Sequence, residues 1–139
     1  MKTIILITVL FLSCHVCFGQ NKIIFDRMIK TMDKSMVQEI EVMGHKFSVG
    51  DTLTFTTGSI PNGEFLSTTL MSRTVLDNAP QMPDHLPGNF INRRFIISKI
   101  YSQTTGLNTF NTLVLDLDKK NEIFVFVDPV IALTKKEIK

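Results

Sequence analysis

The sequence has little cysteine and no strong excess of charge of either sign. Its two cysteines, Cys14 and Cys17, both lie near the amino terminus, and the rest of the chain contains none. This distribution excludes a disulfide, a thiol nucleophile and a thiolate metal site from everything that follows. Fifteen Lys and Arg against thirteen Asp and Glu leave a formal charge of +2. Because nucleic-acid binding needs a basic field, we expect no nucleic-acid partner.

The chain also lacks an apolar run long enough to span a bilayer. The run from Ile4 to Leu12 is only about half of the roughly twenty residues that a membrane helix needs. Lys2 precedes it, and Cys17-Phe18-Gly19 follows it with small residues at the exit. This order is typical of a secretory signal peptide. We predict a removable signal peptide at 1–19, a mature chain that begins at Gln20 and no transmembrane span.

A lipid anchor is the alternative fate of this segment. Cys14 follows Leu12-Ser13 and could be acylated at the head of a mature lipoprotein. The bulky Phe11 and Leu12 fit that processing pattern poorly, because small residues are favoured before the cysteine. We therefore expect an exported protein, periplasmic or secreted, and regard anchoring through Cys14 as the less favoured outcome.

An amphipathic helix is predicted at the start of the mature chain. From residue 22 to 40 the apolar residues recur at steps of three and four, with charged residues between them. The segment from Val37 to Val42 also fits a strand, so the end of this helical lead-in stays open. The apolar residues concerned are Phe25, Met28, Ile29, Met32, Met36 and Ile40.

After Gly44 the pattern changes to short β runs separated by turns. Pro61-Asn62-Gly63 predicts a hairpin turn between the first two runs, and Lys119-Lys120-Asn121 predicts another between the last two. Three prolines between residues 73 and 89 predict a long irregular loop. Asp128-Pro129 predicts the cap and first residue of a closing helix that extends to Ile138. The five strand runs are 47–55, 64–72, 90–101, 110–118 and 123–127.

These elements predict a mainly β fold in one domain at 20–139. We expect the five strands to form an antiparallel meander that curls, within 46–139, into a small SH3-like or OB-like barrel. The barrel would carry the amphipathic helix at its beginning and the short helix at its end. An open sheet with a helix laid across one face is the alternative architecture.

Two segments resemble a group of small secreted bacterial proteins of unknown function. Val49–Phe55 reads Val-Gly-Asp-Thr-Leu-Thr-Phe and is followed by Gly58-Ser59 and then by Pro61–Phe65, which reads Pro-Asn-Gly-Glu-Phe. In that group a Val-Gly-Asp-Thr strand opener leads through a Gly-Ser turn to Pro-Asn-Gly-Asp-Phe. The ending from Ile123 to Ile138 also resembles the last strand and closing helix of the group. The resemblance implies export and a small β domain, and it implies no activity.

Two groups of residues are candidates for binding. Basic and aromatic residues alternate along one strand, which predicts a face that could stack a sugar or contact a peptide. The alternative is a half-buried strand whose basic side chains lie over apolar neighbours. Asp84 and His85 lie in the long loop, where functional residues are often found. The strand residues are Arg93, Phe95, Ile97, Lys99 and Tyr101.

Other constellations suggest a metal site or a hydrolase. Met28, Met32 and Met36 stand four residues apart, and together with His45 they are ligand types that suit Cu(I) or Ag(I). Because a helix also needs an apolar core face, we favour packing for these methionines. Asp116 and Asp118, or Asp84 with His85, are the residues on which a small hydrolase could be built.

The sequence contains no motif of a known catalytic or cofactor site, so we expect no cofactor. The favoured hypothesis is a non-enzymatic binding or interaction module of the cell envelope. Its partner would be an envelope protein, a peptide or a glycan. Periplasmic handling of Cu(I) or Ag(I) and a small hydrolase remain as alternatives.

The predicted processing can be tested by intact-mass analysis of the exported protein. We expect the mass of a chain that begins at Gln20, because Cys17-Phe18-Gly19 presents small residues to the signal peptidase. A diacylglyceryl adduct on Cys14 would contradict this prediction and support the lipid anchor.

Overall fold

The computed structural model describes residues 26–72, 85–120 and 122–139. The predicted signal peptide, Phe25 and Asp84 lie outside the described residues. The described part is mainly β, with antiparallel pairing and few short helices, which confirms the predicted class.

Two short helices and eight strands make up the described fold. Helix α1 covers residues 26–32 and continues into a 3-10 turn at Asp33–Ser35, and a second 3-10 turn covers Gly88–Phe90. Helix α2 covers Pro129–Thr134. The strands are β1 Met36–Val37, β2 Glu39–Val42, β3 His45–Ser48, β4 Thr52–Thr54, β5 Thr68–Ser72, β6 Arg94–Thr105, β7 Asn108–Asp118 and β8 Ile123–Val127.

The main sheet has the order β1-β6-β7-β8-β5, and β4 pairs with β6 beside β1. Strand β6 has 12 residues. It is therefore long enough to hold β4 along its first half, where Leu53 pairs with Phe95, and β1 along its second half, where Met36 pairs with Tyr101. Strands β2 and β3 form a separate two-stranded sheet.

The predicted meander is wrong at its second strand. The turn at Pro61-Asn62-Gly63 does not join a hairpin, because β5 crosses to the far side of the sheet and pairs with β8, Thr68 opposite Val127. Strand β8 reads Ile-Phe-Val-Phe-Val and is half-buried or buried at every residue. Because both faces of β8 are covered, water does not reach its backbone, and its N–H and C=O groups need a paired strand on each side. Strand β7 supplies one neighbour and β5 the other.

The two faces of the sheet carry separate apolar clusters. The inner face holds the larger one, to which β7 and β8 contribute alternate residues and β6 contributes two residues. The outer face carries Tyr101, Val114 and Phe126, against which Ile29 and Met32 of α1 pack. The alternative architecture, a sheet with a helix across one face, is therefore the one observed. The inner-face residues of these strands are Ile97, Ile100, Leu113, Leu115, Val125 and Val127.

The predicted SH3-like or OB-like barrel does not close. At one edge, the carboxyl-terminal residues continue the sheet beyond β4: Thr54 and Lys139 exchange backbone hydrogen bonds of 3.2 and 3.0 Å, and Phe55 bridges Ile138. The other edge is β5. A buried side chain, not a backbone ladder, connects the carboxyl-terminal segment to the residues just before β5.

That side chain is Glu137, which is fully buried. Its carboxylate accepts hydrogen bonds from the Ser59 backbone N–H at 3.2 Å, from the Ser59 hydroxyl, from Leu66 N–H at 2.7 Å and from Ser67 N–H at 2.9 Å. Burial alone would raise the pKa of Glu137, but these donors together outweigh it and hold the pKa below its usual value. The carboxylate is thus ionised and satisfied by neutral donors.

The two helices differ from the sequence prediction at their carboxyl-terminal ends. The cap of α2 is confirmed: the Asp128 carboxylate accepts from Val130 N–H at 2.9 Å and Ile131 N–H at 3.1 Å. However, α2 ends at Thr134, and Lys136 adopts a left-handed φ of 57°, which turns the chain so that Ile138 reaches Phe55. The expected helical lead-in of 22–40 ends at Ser35.

Strands replace the helix after Ser35 because the sheet offers edge positions there. Met36 and Val37 pair with β6, and Glu39–Val42 pairs with β3 through the turn at Met43-Gly44. Val42 is buried in the main core, and Val37 and Ile40 pack against it. The strands bury all three residues, whereas a continued helix would have turned Val42 away from Val37 and Ile40.

Replacing Glu137 tests the connection between the two edges. We expect Glu137→Ala to destabilise the protein by about 3 kcal/mol, because the buried Ser67 N–H and the half-buried donors of Ser59 and Leu66 lose their acceptor. Glu137→Gln should lower the free energy of unfolding by about 2 kcal/mol. The oxygen that accepts from Ser59 and Leu66 stays, but the new NH2 group, itself a donor, faces the Ser67 N–H. Chemical denaturation measures both, with Glu41→Gln on exposed β2 as the matched control, expected within about 0.5 kcal/mol of wild type.

The stability of wild type and of Glu137→Gln should depend differently on pH. Because the folded pKa of Glu137 is lowered, its contribution is present above the unfolded pKa and is lost as the pH falls through the folded pKa. Wild type should therefore lose stability in acid more steeply than Glu137→Gln. Equal acid sensitivity of the two proteins would contradict an ionised Glu137.

Candidate functional site

A cleft of about 290 Å³ lies between α1 and the outer face of β6, β7 and β8. Its apolar floor consists of Val114 and Phe126, which are buried, and Phe124, which is half-buried. These residues face α1 because they alternate with the inner-face residues of β7 and β8. The other described residues that line it are Asp26, Ile29, Lys30, Asp33, Ser98, Lys99, Tyr101, Asp116 and Glu122.

A β-bulge in β6 places the polar residues of the cleft. The register with β7 shifts between Ile97 and Lys99, so that Ile97 and Ile100 both point into the main core. The shift carries Lys99 and Tyr101 to the opposite face, next to α1. Without the bulge, strict alternation would have put Ile97, Lys99 and Tyr101 on one face, as the sequence pattern predicts.

Asp33, Lys99 and Tyr101 form a hydrogen-bonded cluster at one side of the cleft. Asp33 stands at the start of the 3-10 turn that follows α1. One oxygen of its carboxylate accepts from the Tyr101 hydroxyl at 2.8 Å and from the Lys99 ammonium at 3.0 Å. The cluster thereby fastens the end of α1 to β6. The Tyr101 side chain is otherwise buried, with its ring in the outer-face cluster.

The cluster moves each pKa away from neutrality. The Tyr101 hydroxyl and then the Lys99 ammonium hold the pKa of Asp33 below its usual value. Burial, and then the bond to Asp33, raise the pKa of Tyr101. Burial alone would lower the pKa of Lys99, but its contacts with Asp33 and Tyr101 together outweigh burial and raise it. Each of the three groups therefore keeps its ordinary charge state at neutral pH.

Asp116 of β7 also lines the cleft. It accepts from the Ser98 hydroxyl at 3.1 Å, and the Lys119 ammonium lies 3.7 Å from its other oxygen. Asp118 does not accompany it, because the register with β8 shifts between the two aspartates. Asp118 instead accepts from Lys120 N–H at the turn. The pair proposed for a hydrolase is thus divided between the cleft and the β7–β8 turn.

The described lining carries more negative than positive charge. Four carboxylates line the cleft against two lining ammonium groups, and the Lys119 ammonium lies 3.7 Å from one of those carboxylates, Asp116. An acidic recess with an apolar floor attracts a ligand that combines apolar surface with a positive charge. The carboxylates are Asp26, Asp33, Asp116 and Glu122, and the ammonium groups are Lys30 and Lys99.

The structure separates the predicted aromatic and basic face into two places. Lys99 and Tyr101 come together at the cleft. Phe95 packs against the main core, where its ring centroid lies 5.7 Å from that of Phe55, and the Arg93 guanidinium lies 4.9 Å from the centroid of Phe90. Sequence reasoning missed Asp33, since an aspartate at the end of a helix gives no signal until the partner strand is known.

The described part of the predicted loop is anchored to the sheet. His85 Nδ1 lies 2.7 Å from the Thr68 carbonyl oxygen, and the Leu86 N–H donates to the Thr68 hydroxyl at 2.8 Å. Leu86 itself is fully buried. His85 therefore contacts the start of β5, and Asp84, its predicted companion, lies outside the described residues.

The proposed metal ligands stand on three different elements. Met28 and Met32 belong to α1, Met36 pairs with Tyr101 in β1, and His45 pairs with Val42 in the β2–β3 hairpin. Met32 packs against the outer-face cluster, as the core interpretation expects, whereas Met36 is half exposed. Within the described residues, no three His, Cys, Asp or Glu side chains group as a metal site would require.

Comparison with known proteins found no matching protein-family model, no matching curated protein and no matching solved structure. The resemblance of Val49–Phe65 to small secreted bacterial proteins therefore stays a prediction. Across the part of the chain that the structure describes, every helix is too short or too polar to cross a membrane.

Titration of Tyr101 tests the cluster directly. Tyr101 is the only tyrosine and the chain has no tryptophan, so the near-ultraviolet absorbance of phenolate reports its pKa alone. We expect a pKa above the ordinary phenol value. Asp33→Asn should lower it, because the carboxylate no longer favours the protonated hydroxyl, and Lys99→Gln should raise it, because a nearby positive charge is removed. Shifts of the same sign in both variants would contradict the geometry.

Proposed function

We propose that this protein is a non-enzymatic binding module of the cell envelope whose ligand site is the cleft between α1 and the outer face of the sheet. The observation that carries the proposal is the combination of an apolar floor, Val114 and Phe126, with an acidic rim in one recess. The ligand we propose joins an apolar body to a positively charged group. A peptide segment with a lysine or arginine beside an apolar residue has this chemistry.

Binding fits the charge states of the site better than catalysis does. A general acid or base works best when its pKa lies near the operating pH. In the cluster at the cleft, the pKa of Asp33 is lowered while those of Lys99 and Tyr101 are raised. These groups hold fixed charges and hydrogen bonds, which suits recognition.

The size of the cleft limits the ligand. Sites for small molecules usually measure roughly 300 to 1,000 Å³, so a recess of about 290 Å³ accommodates one aromatic or branched aliphatic group with its charged end. A larger partner would insert one side chain and lie across the rim. The envelope as location follows from the signal-peptide pattern at 1–19.

Two small probes of matched shape and opposite charge test this proposal. We expect 2-phenylethylammonium to bind saturably, with a dissociation constant on the order of 1 mM for so small a fragment. We expect 3-phenylpropionate to bind several-fold more weakly, because the rim carries an excess of carboxylates. Tyr101 lines the cleft and is the only tyrosine. Its fluorescence therefore follows the titration.

Two variants test whether the carboxylates at the rim of the cleft, and not the overall charge of the protein, attract the cationic probe. Asp116→Asn should weaken binding of the cationic probe roughly fivefold, since one charge-assisted contact becomes neutral. Added salt should weaken this binding further. Glu41→Gln removes an equal charge from exposed β2 and should leave binding unchanged. Equal affinity for both probes, or loss of affinity in Glu41→Gln but not in Asp116→Asn, would contradict the proposal.

A further inference from the structure

The far ends of β6 and β7 form a ribbon that extends beyond the rest of the sheet. Pairing with β1 stops at Tyr101, and pairing with β8 begins at Leu113. Between these points the register joins β6 and β7 only to each other, up to the turn at Gly106-Leu107. Gly106 has a φ of 63°, as the first central residue of a type II′ turn requires.

Among the described residues, none pairs with the outer edge of β7 along this ribbon. In an antiparallel pair closed by a two-residue turn, residues alternate between hydrogen-bonded and non-bonded positions. Asn108, Phe110 and Thr112 occupy the bonded positions opposite β6. Thr109 and Asn111 therefore direct their N–H and C=O groups away from β6, where β8, the neighbour of β7 farther along, has already ended.

Nothing in the sequence of the ribbon protects this edge. Exposed edges are usually blocked by lysine, proline or a bulge, yet no charged residue and no proline occurs from Ile100 to Leu115. Phe110 is 60% exposed and Leu107 is fully exposed. Within the described residues, the Asn111 Oδ1 atom is buried without a hydrogen-bond partner.

We propose that the β7 edges of two copies of this chain pair antiparallel about a twofold axis at Phe110. Because the segment carries no charge, two copies place no like charges opposite each other. The register centred on Phe110 brings Thr109 of each copy opposite Asn111 of the other and uses both open residues. A register centred on Asn111 is blocked, since it would place Thr109 opposite Leu113, which is already paired with β8.

The twofold pairing also accounts for the exposed aromatic ring. At the axis the two Phe110 residues face each other in a non-hydrogen-bonded position, where side chains approach most closely. None of the ribbon residues from Ser102 to Thr112 lines the cleft, so this inference is independent of the proposed ligand. The contact is small, and we expect a reversible dimer with micromolar or weaker affinity.

Sedimentation velocity over a range of concentrations tests the association. The mass of wild type should rise from one copy toward two. Phe110→Lys should weaken the dimer about tenfold or more, because it places two ammonium groups together at the axis. Leu107→Lys adds the same charge at the exposed turn, off the paired edge, and should weaken it far less. Circular dichroism checks that both variants remain folded.

Disulfide trapping tests the register, with Cys14 and Cys17 replaced by serine in the full chain. Phe110→Cys should form an intermolecular disulfide, because the two Cα atoms would lie about 4.5 Å apart. Thr109→Cys should not form this disulfide, since the residues at position 109 of the two copies lie diagonally across the pair, about 7 to 8 Å apart.

Three outcomes would overturn the inference: a monomer at every concentration, trapping by Thr109→Cys without trapping by Phe110→Cys, or a monomer that floats with phosphatidylcholine vesicles through Leu107. The last result would assign the ribbon to a lipid surface.

Discussion

The fold depends on the buried carboxylate of Glu137. It connects three segments: the loop at Ser59, the turn at Leu66 and Ser67, and the carboxyl-terminal strand that pairs with β4. A buried charge without a cation is tolerated only when its acceptor capacity is filled. Four donors fill it here, so the sheet can stop short of a barrel without leaving those N–H groups unsatisfied.

Tight backbone packing supports the same corner of the molecule. A Cβ atom on Gly58 would collide with the Gly63 carbonyl, and one on Gly88 would approach that oxygen to 2.6 Å. Three loops thus meet where only glycine fits. The Pro61-Asn62-Gly63 turn, which sequence reasoning assigns to a hairpin, serves this corner instead and directs the chain toward β5 at the far edge of the sheet.

The bulge at Ser98 determines the arrangement of side chains on the outer side of the sheet. It changes which residues of β6 face the core, and it thereby brings Lys99 and Tyr101 to Asp33 while leaving Phe95 among the core aromatics. One extra residue in a strand converts a continuous amphipathic pattern into a polar cleft on one face and a closed core on the other. The proposed ligand site depends on this local change of phase.

The sequence by itself determined the mainly β class, the positions of the last two strands and the Asp128 cap of α2, because alternation and capping are local signals. The strand before them begins and ends four residues later than the predicted 90–101. Each of these features depends only on near neighbours in the chain. Strand order, the bulge and the end of the first helix depend on contacts between distant residues. Tertiary structure decided these: β5 pairs with β8 because the buried backbone of β8 needs hydrogen-bond partners on both of its edges. Glu137 became a core residue because donors from the loops around it fill its acceptor capacity.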